Sequence, residues 1–403
     1  MDPIRRLRHC CAALLVLFCP MGMAQTAAPE PVKIGVIGPF SGPSSDFGKP
    51  MLQGIELAID EINAVGGYLG RPLALVIKDD EGKPDVGLRG TQELMSERVV
   101  ATLGFYNTGV ALKAIPVFQH RESPLIVPCA AGAPVTAQAP APDSYVFRNA
   151  PSDAIQAPFV VNDLVRRGWT RVAIFADTTP YGEAGLQDVQ AALATHRIKP
   201  VHVARFDLGV KDLSDALRQA RDAGANVVFS YTVGPENAVI AKGRQAIKWD
   251  VPQVGGWPLS FPFFIQGAKA AAEGAMMAQS FIAEPSNERR AAFLSAFARK
   301  HQQAITVPMA AAQGYDAAYL LAHALFSLRN GRFPGPAVKA ALENLPRTYY
   351  GVVATYEKPF SRDDKEAITA NMLVMGMVRD GKVTFAYPED AKRNLMVQRK
   401  PRP

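Results

Sequence analysis

The sequence is poor in residues that crosslink chains or hold metals. Only four of its 403 residues are cysteine. Cys10, Cys11 and Cys19 fall in one N-terminal apolar run, which leaves Cys129 without an internal disulfide partner. The six histidines, His9, His120, His196, His202, His301 and His323, include no pair at zinc-site spacing, so no metal is expected. After the N-terminal run nothing approaches the roughly 18 apolar residues of a membrane span. No GxSxG turn marks a serine nucleophile, and nothing around Cys129 marks a thiol one, so no enzyme is expected. Basic residues do not interleave with aromatics as a single-strand groove requires, which excludes nucleic acid as a partner. Stability must come from a core. With 48% apolar and 20% charged residues, the chain can build a large one, and its length suggests two units.

What is present begins with Arg5, Arg6, Arg8 and His9, then "CCAALLVLFC", then small residues at Gly22 and Ala24. This is the pattern of a secretory signal peptide over residues 1–24. Phe18 is too bulky for the position before a lipid-anchored Cys19. The mature protein is therefore expected in an extracytoplasmic space. Loss of the leader lowers the formal charge from +7 to about +5, part of it in the tail "DAKRNLMVQRKPRP", read as a solvated, poorly ordered end.

From Val32 onward, strand-length apolar runs alternate with helix-length amphipathic ones. "VKIGVIG", "LALVIKD", "VVATLG" and "PLIVP" are separated by helices predicted over Met51–Val65, Pro84–Glu97 and Gly109–Gln119. Leu52, Ile55, Ile59 and Ile62 put one apolar stripe on the first helix. After the Pro/Ala-rich "APVTAQAPAPDSY" the pattern repeats, with helices near Asp153–Arg167, Tyr181–Leu193 and Lys211–Asp222, and the strands "RVAIFAD", "PVHVARF", "NVVFSYT" and "PQVGG". Such alternation predicts an α/β fold with parallel sheets in two similar units. Residues 283–345 read as mainly helical, and Asp380-Gly381 marks a late hairpin.

The stretch "VIGPFSGPSSDFGKPMLQG" invites a phosphate-loop reading and fails it. Gly35, Gly38 and Gly42 have the wrong spacing for a dinucleotide fingerprint, and Lys49 is followed by Pro50, which has no hydroxyl for magnesium. Asp79 lies about twice the roughly 20 residues from the glycines that a ribose-binding acid would. Asp79, Asp80 and Glu81 are read as a solvated strand end. No cofactor is expected.

Open α/β sheets bind ligands at the carboxyl ends of their strands. Polar and aromatic residues gather there in both units. Phe40, Ser41 and Phe47 follow the first strand; Tyr106, Asn107 and Thr108 follow the third, at a helix start whose free N–H groups favour a carboxylate. Cys129, Ala130 and Ala131 follow the fourth. The second unit adds Tyr181, Tyr231, Thr232 and Trp257. Each alone has a plain explanation as a cap or packing residue. Their shared placement points to one cleft between two lobes.

The segments "KIGVIGPFSGPSSDFGKPMLQGIELAIDEINAVGGYLGRPL", "DDEGKP", "SPLIVPCAAGAPVT", "VFRNAPSD", "YGEAG" and "QGYDAAYLL" resemble the periplasmic solute-binding proteins of branched-chain amino acid ABC importers, the leucine-binding-protein type. The resemblance implies a type I periplasmic binding fold: two Rossmann-like lobes with parallel sheets, joined by a three-crossover hinge, with the ligand cleft between them. It implies lobe 1 over residues 25–149 and 282–353, and lobe 2 over residues 150–281 and 354–403. It further implies capture of a small amino acid or carboxylate and delivery to a membrane permease with ATPase subunits, by a monomer. Thr108 and the Cys129–Ala131 backbone match the family's carboxylate site, although "CAAG" lacks the family's threonine. Tyr181 matches its aromatic lid.

Where amino-acid binders of this family place a glutamate for the ligand ammonium, this chain has "GGWPLSF". An unpaired buried ammonium is costly. Two solutes therefore stay open: an apolar or aromatic carboxylate stacked on Phe47, Tyr181 and Trp257, or an amino acid whose ammonium finds another acid, for which Asp153 is the candidate. A sensor domain of the same fold acting through a partner is the alternative function, and an NAD-dependent enzyme is the least favoured.

Overall fold

The computed structural model describes residues 29–393 and 398–401. The leader expected at 1–24 and part of the basic tail lie outside the described residues. The first unit runs β1 (Val32–Gly38), α1 (Ser45–Ala64), β2 (Leu73–Asp79), α2 (Pro84–Ser96), β3 (Thr102–Gly104), α3 (Thr108–His120), β4 (Leu125–Val127) and β5 (Val146–Arg148). Its strands pair in parallel in the order β2-β1-β3-β4-β5, with Val32 opposite Leu73 and Gly35 opposite Thr102. Helices cover this sheet, so β1 is apolar on both faces and almost wholly buried.

The second unit runs α4 (Asp153–Arg166), β6 (Val172–Asp177), α5 (Pro180–Thr195), β7 (His202–Phe206), α6 (Ser214–Asp222), β8 (Val227–Tyr231), α7 (Glu236–Ala246), β9 (Gln253–Gly255), α8 (Pro262–Ala268) and β10 (Met276–Gln279). The order β7-β6-β8-β9-β10 repeats that of the first sheet. Then come α9 (Glu288–His301), α10 (Pro308–Ser327), α11 (Gly335–Glu343), the short pair β11 (Tyr349–Tyr350) and β12 (Thr355–Tyr356), the hairpin β13 (Val374–Arg379) and β14 (Lys382–Phe385), and α12 (Pro388–Arg393). The hairpin turns at Asp380-Gly381, both at positive φ, and joins the second sheet antiparallel to β10. That sheet is thus parallel only in its first five strands.

The late helices return to the first sheet. α10 lies against α1, and their backbones touch: a Cβ at Gly54 would stand 2.0 Å from the Ala311 carbonyl oxygen, and one at Gly314 would stand 2.4 Å from that of Met51. Ile55 and Ile59 fill the same core, each contributing about 2 kcal/mol by burial. Asp316 on α10 gathers the segment after α11, accepting from the Tyr349 hydroxyl (2.9 Å), the Val352 N–H (2.9 Å), the Val353 N–H (2.8 Å) and the Tyr356 hydroxyl (3.0 Å). Tyr356, Phe360, Ala367 and Ile368 lie in this first core.

Three local readings are corrected. α1 starts at Ser45, ahead of the expected Met51, because Gly48 sits against the Pro39 backbone and the helix accommodates Pro50 within its early turns. Asp80 is fully buried, not solvated, and Asp79 accepts from the N–H groups of Phe40 (2.9 Å), Ser41 (3.2 Å) and Glu81 (2.9 Å), so this strand end braces the opening loop. The described end of the tail is docked: Lys400 donates to the Glu366 carbonyl (2.8 Å), Arg399 pairs with Glu357 (3.1 Å), and the Thr355 N–H donates to the Gln398 carbonyl (2.8 Å).

Candidate functional site

In both sheets the strand order reverses beside the first strand, and open sheets bind ligands beyond the carboxyl ends at that point. In the first unit this places Phe47, Tyr106 and Thr108 at the switch between β1 and β3. In the second it places Tyr181 and Tyr231 at the switch between β6 and β8. The two edges meet. The Tyr106 ring lies 4.7 Å from Phe47 and 5.4 Å from Trp257, which comes from the opposite unit in a short 3-10 turn after β9. Tyr181 and Tyr231 are 5.1 Å apart, and a Cβ at Gly256 would stand 3.2 Å from the Tyr181 hydroxyl and 3.6 Å from that of Tyr231.

On the first unit Thr108 opens α3, and its Oγ1 accepts from the Gly132 N–H at 3.2 Å. The helix start and the buried Cys129–Ala130–Ala131 loop are therefore held side by side. The Ala130 N–H donates to Phe105 (3.0 Å), and the Ala131 carbonyl accepts from the Asp153 N–H (2.8 Å). Helix-start N–H groups and a hydroxyl against a small-residue loop are chemically suited to a carboxylate.

Asp153 begins α4 and is wholly buried. Its Oδ1 accepts from Gln156 Nε2 at 3.1 Å, while Oδ2 has no partner among the described residues. Burial pushes this carboxyl up to about 7, with Tyr231 and Arg148 opposing the shift and Asp188 adding to it. The Tyr231 hydroxyl is near enough to act on Asp153 but lies outside hydrogen-bonding geometry. Gln156 also accepts the Trp257 N–H (3.3 Å), linking the acid to the aromatic wall. The hydroxyls of Tyr106, Tyr181 and Tyr231 are likewise buried without partners among the described residues. Burial raises the pKa of all three phenols, which keeps them protonated donors.

Not every expected residue joins this constellation. Ser41 is exposed and serves Asp79 through its N–H. Asn107 caps the start of α3 without a side-chain cap bond. Thr232 is spent on the turn after β8, where its Oγ1 accepts from the Gly234 N–H at 3.3 Å. Phe261 and Phe263 were missed: Phe261 stacks on Phe47 at 5.3 Å and meets Trp257 at 4.9 Å, and Phe263 meets Phe47 at 5.8 Å. The aromatic run "SFPFF" just after a strand end was the signal available for them. Groups of histidine, cysteine, aspartate or glutamate suited to a metal ion are absent among the described residues, and none of the described helices is long and apolar enough to cross a membrane.

The family model for periplasmic binding proteins matches residues 31–382. The chain belongs to that family. This periplasmic binding protein is 30% identical over 229 residues to Leu/Ile/Val-binding protein homolog 3 of Brucella melitensis, covering 55% of this chain and 61% of that one. It thus spans about three-fifths of the length of the curated relatives it matches. Its fold matches the substrate-binding protein LivJ of Streptococcus pneumoniae, solved with isoleucine, at a TM-score of 0.76 and 22% identity, over 88% of this chain and 98% of that one. It also matches a solute-binding protein of R. palustris, solved with benzoate, at a TM-score of 0.75 and 19% identity, over 88% and 95% of the two chains. Family and fold are those of solute-binding proteins, not enzymes.

Proposed function

We propose that this periplasmic binding protein is the extracytoplasmic solute-binding subunit of an ABC importer, working as a monomer that closes its lobes over a small carboxylate-bearing solute and hands it to a membrane permease and its ATPases. The observation that carries the reading is the convergence, from both lobes, of four buried side-chain oxygens without partners among the described residues: Tyr106, Tyr181 and Tyr231 hydroxyls and Asp153 Oδ2. Buried polar groups are ordinarily satisfied, and a bound solute would satisfy these.

The favoured solute is an amino acid with an apolar side chain. Its carboxylate sits at Thr108 and the Cys129–Ala131 backbone, its ammonium at Asp153, and its side chain against Phe47 and Trp257. Asp153 replaces the glutamate missing from "GGWPLSF". The second reading is an aromatic carboxylate held by the rings of Phe47, Tyr106, Trp257 and Phe261, in keeping with the benzoate-bound neighbour. We place the lobe crossovers near 149–152, 280–287 and 369–373, the last of them later than 353/354 because Phe360 and Ile368 belong to the first core.

A thermal-shift screen of isoleucine, leucine, benzoate and 4-hydroxybenzoate tests this. Solute at about 100 times its Kd adds about 2.7 kcal/mol of stability. Stabilisation by at least one of them supports the reading, and no shift from any amino acid or carboxylic acid defeats it.

A further inference from the structure

Arg148 ends β5 with its side chain 1% exposed, and every donor of its guanidinium is engaged. Nη1 donates to three carbonyls of one loop, those of Ala130 (3.4 Å), Ala131 (3.0 Å) and Gly132 (2.8 Å). Nε donates to both carboxylate oxygens of Glu366 (3.1 and 2.9 Å), and Nη2 donates to Thr136 Oγ1 (3.2 Å) and again to Glu366. The backbone repeats the link, since the Arg148 N–H donates to the Lys365 carbonyl and the Ala367 N–H donates to that of Arg148, both at 2.9 Å.

Three carbonyl dipoles aimed at one point repel one another unless a donor stands there, and here the donor is a guanidinium. With these oxygens drawn back to Arg148, the Gly132 N–H faces Thr108, where the carboxylate seat is. The Ala131 carbonyl that Arg148 holds also accepts the Asp153 N–H at 2.8 Å. Both ends of the site are therefore registered on a single oxygen. Glu366, the other anchor, belongs to the segment that leads into the last crossover.

We infer that Arg148 is the positioning residue of the solute site, setting the distance between the Cys129–Gly132 loop and Asp153 and tying it to the segment around Glu366. The inference rests on the cleft being a solute site. A lysine cannot replace the fork, because one ammonium cannot serve three carbonyls and a carboxylate in fixed directions.

The test titrates the full-length protein with L-isoleucine and benzoate, following tryptophan fluorescence, and melts each variant without solute. Arg290→Lys is the control: Arg290 is equally buried, donates to the Val352 carbonyl (3.2 Å) in the first core, and has Asp316 as its charged neighbour, not Asp153. Both Arg148→Lys and Arg290→Lys should lower the melting temperature. Only Arg148→Lys should weaken Kd, by at least about tenfold. A pH series adds a readout that general destabilisation does not move. The charged and hydroxyl groups acting on Asp153 are Arg148, Asp188, Tyr181 and Tyr231. Arg148→Gln removes the one cation and should shift the pH midpoint of isoleucine binding upward; Arg148→Lys should restore the midpoint without restoring the affinity. If Arg148→Lys does not fold, Glu366→Gln leaves the guanidinium on the loop but removes the charge that ties it to the crossover segment, and should still weaken Kd several-fold. Unchanged Kd in the folded Arg148 variant, or in Glu366→Gln, overturns the inference while leaving the solute reading intact. A wild-type protein that binds neither probe overturns the solute reading and this inference with it.

Discussion

The placement of Asp153 makes the identity of the solute a question of pH. Its carboxyl is pushed up to about 7 by burial, with an unpartnered Oδ2 and Asp188 nearby, and Tyr231 and Arg148 only partly offset that shift. A solute ammonium binds the carboxylate, not the acid. The ionised fraction falls from about three-quarters at pH 7.5 to about 3% at pH 5.5, so the Kd for isoleucine should weaken about 25-fold over that range. Isoleucine's own groups do not titrate there. An aromatic carboxylate behaves oppositely, since protonated Asp153 can donate to it and ionised Asp153 repels it, so its Kd should tighten as pH falls. Calorimetric titration at the two pH values separates the cases. Asp153→Asn should abolish the pH dependence and cost isoleucine about 3 kcal/mol, the penalty of an unpaired buried charge. Isoleucine binding that is flat in pH, or unaffected by Asp153→Asn, would refute the assignment.

Other consequences concern single groups. Thr108→Ala should weaken any carboxylate solute by about 1–3 kcal/mol, measured as a shift in Kd, and should also lower the melting temperature of the solute-free protein, because the buried Gly132 N–H loses its acceptor. Asp316→Ala strands two buried N–H groups and two tyrosine hydroxyls, and should lower unfolding free energy by roughly 3 kcal/mol in urea titrations without altering solute specificity. Gly54→Ala should destabilise by several times the ordinary helix gain from alanine, because its methyl meets the Ala311 carbonyl. Stability without solute should fall as pH rises from about 4 to 7: Asp80 and Asp153 both titrate near 7 when folded, so the folded state binds more protons than the unfolded one throughout that window. Urea midpoints that rise across the window would contradict this.

The alternation of apolar and amphipathic runs was enough to read the α/β architecture, because strand and helix periods differ and each buried face leaves its mark. The strand-end rule points to Phe47, Tyr106, Thr108, Tyr181, Tyr231 and Trp257, and the structure brings Phe47, Tyr106 and Trp257 together and pairs Tyr181 with Tyr231. Other features depend on contacts between distant segments and leave no local pattern. Arg148 sits in "VFRNAPSD" as one charged residue among others; its significance comes from Glu366 and from a loop some sixteen residues upstream. Asp80 looks like part of an acidic surface run, yet the fold buries it fully, with its Oδ1 accepting from the Gly82 N–H at 2.8 Å. Ser41 and Thr232 stand at the expected strand ends, yet backbone turns direct them elsewhere, a decision made by geometry finer than residue type. The early start of α1 hid behind Pro50, whose usual effect is to end helices.

The most direct measurement is the structure of the protein crystallised with whichever member of the solute panel stabilises it most. That solute should lie between the lobes, its carboxylate at Thr108 and the Ala130–Ala131 backbone, and, for an amino acid, its ammonium on Asp153 Oδ2 with the Tyr181 and Tyr231 hydroxyls alongside. A solute bound outside this cleft, or one in the cleft that leaves Thr108 and Asp153 untouched, would contradict that placement.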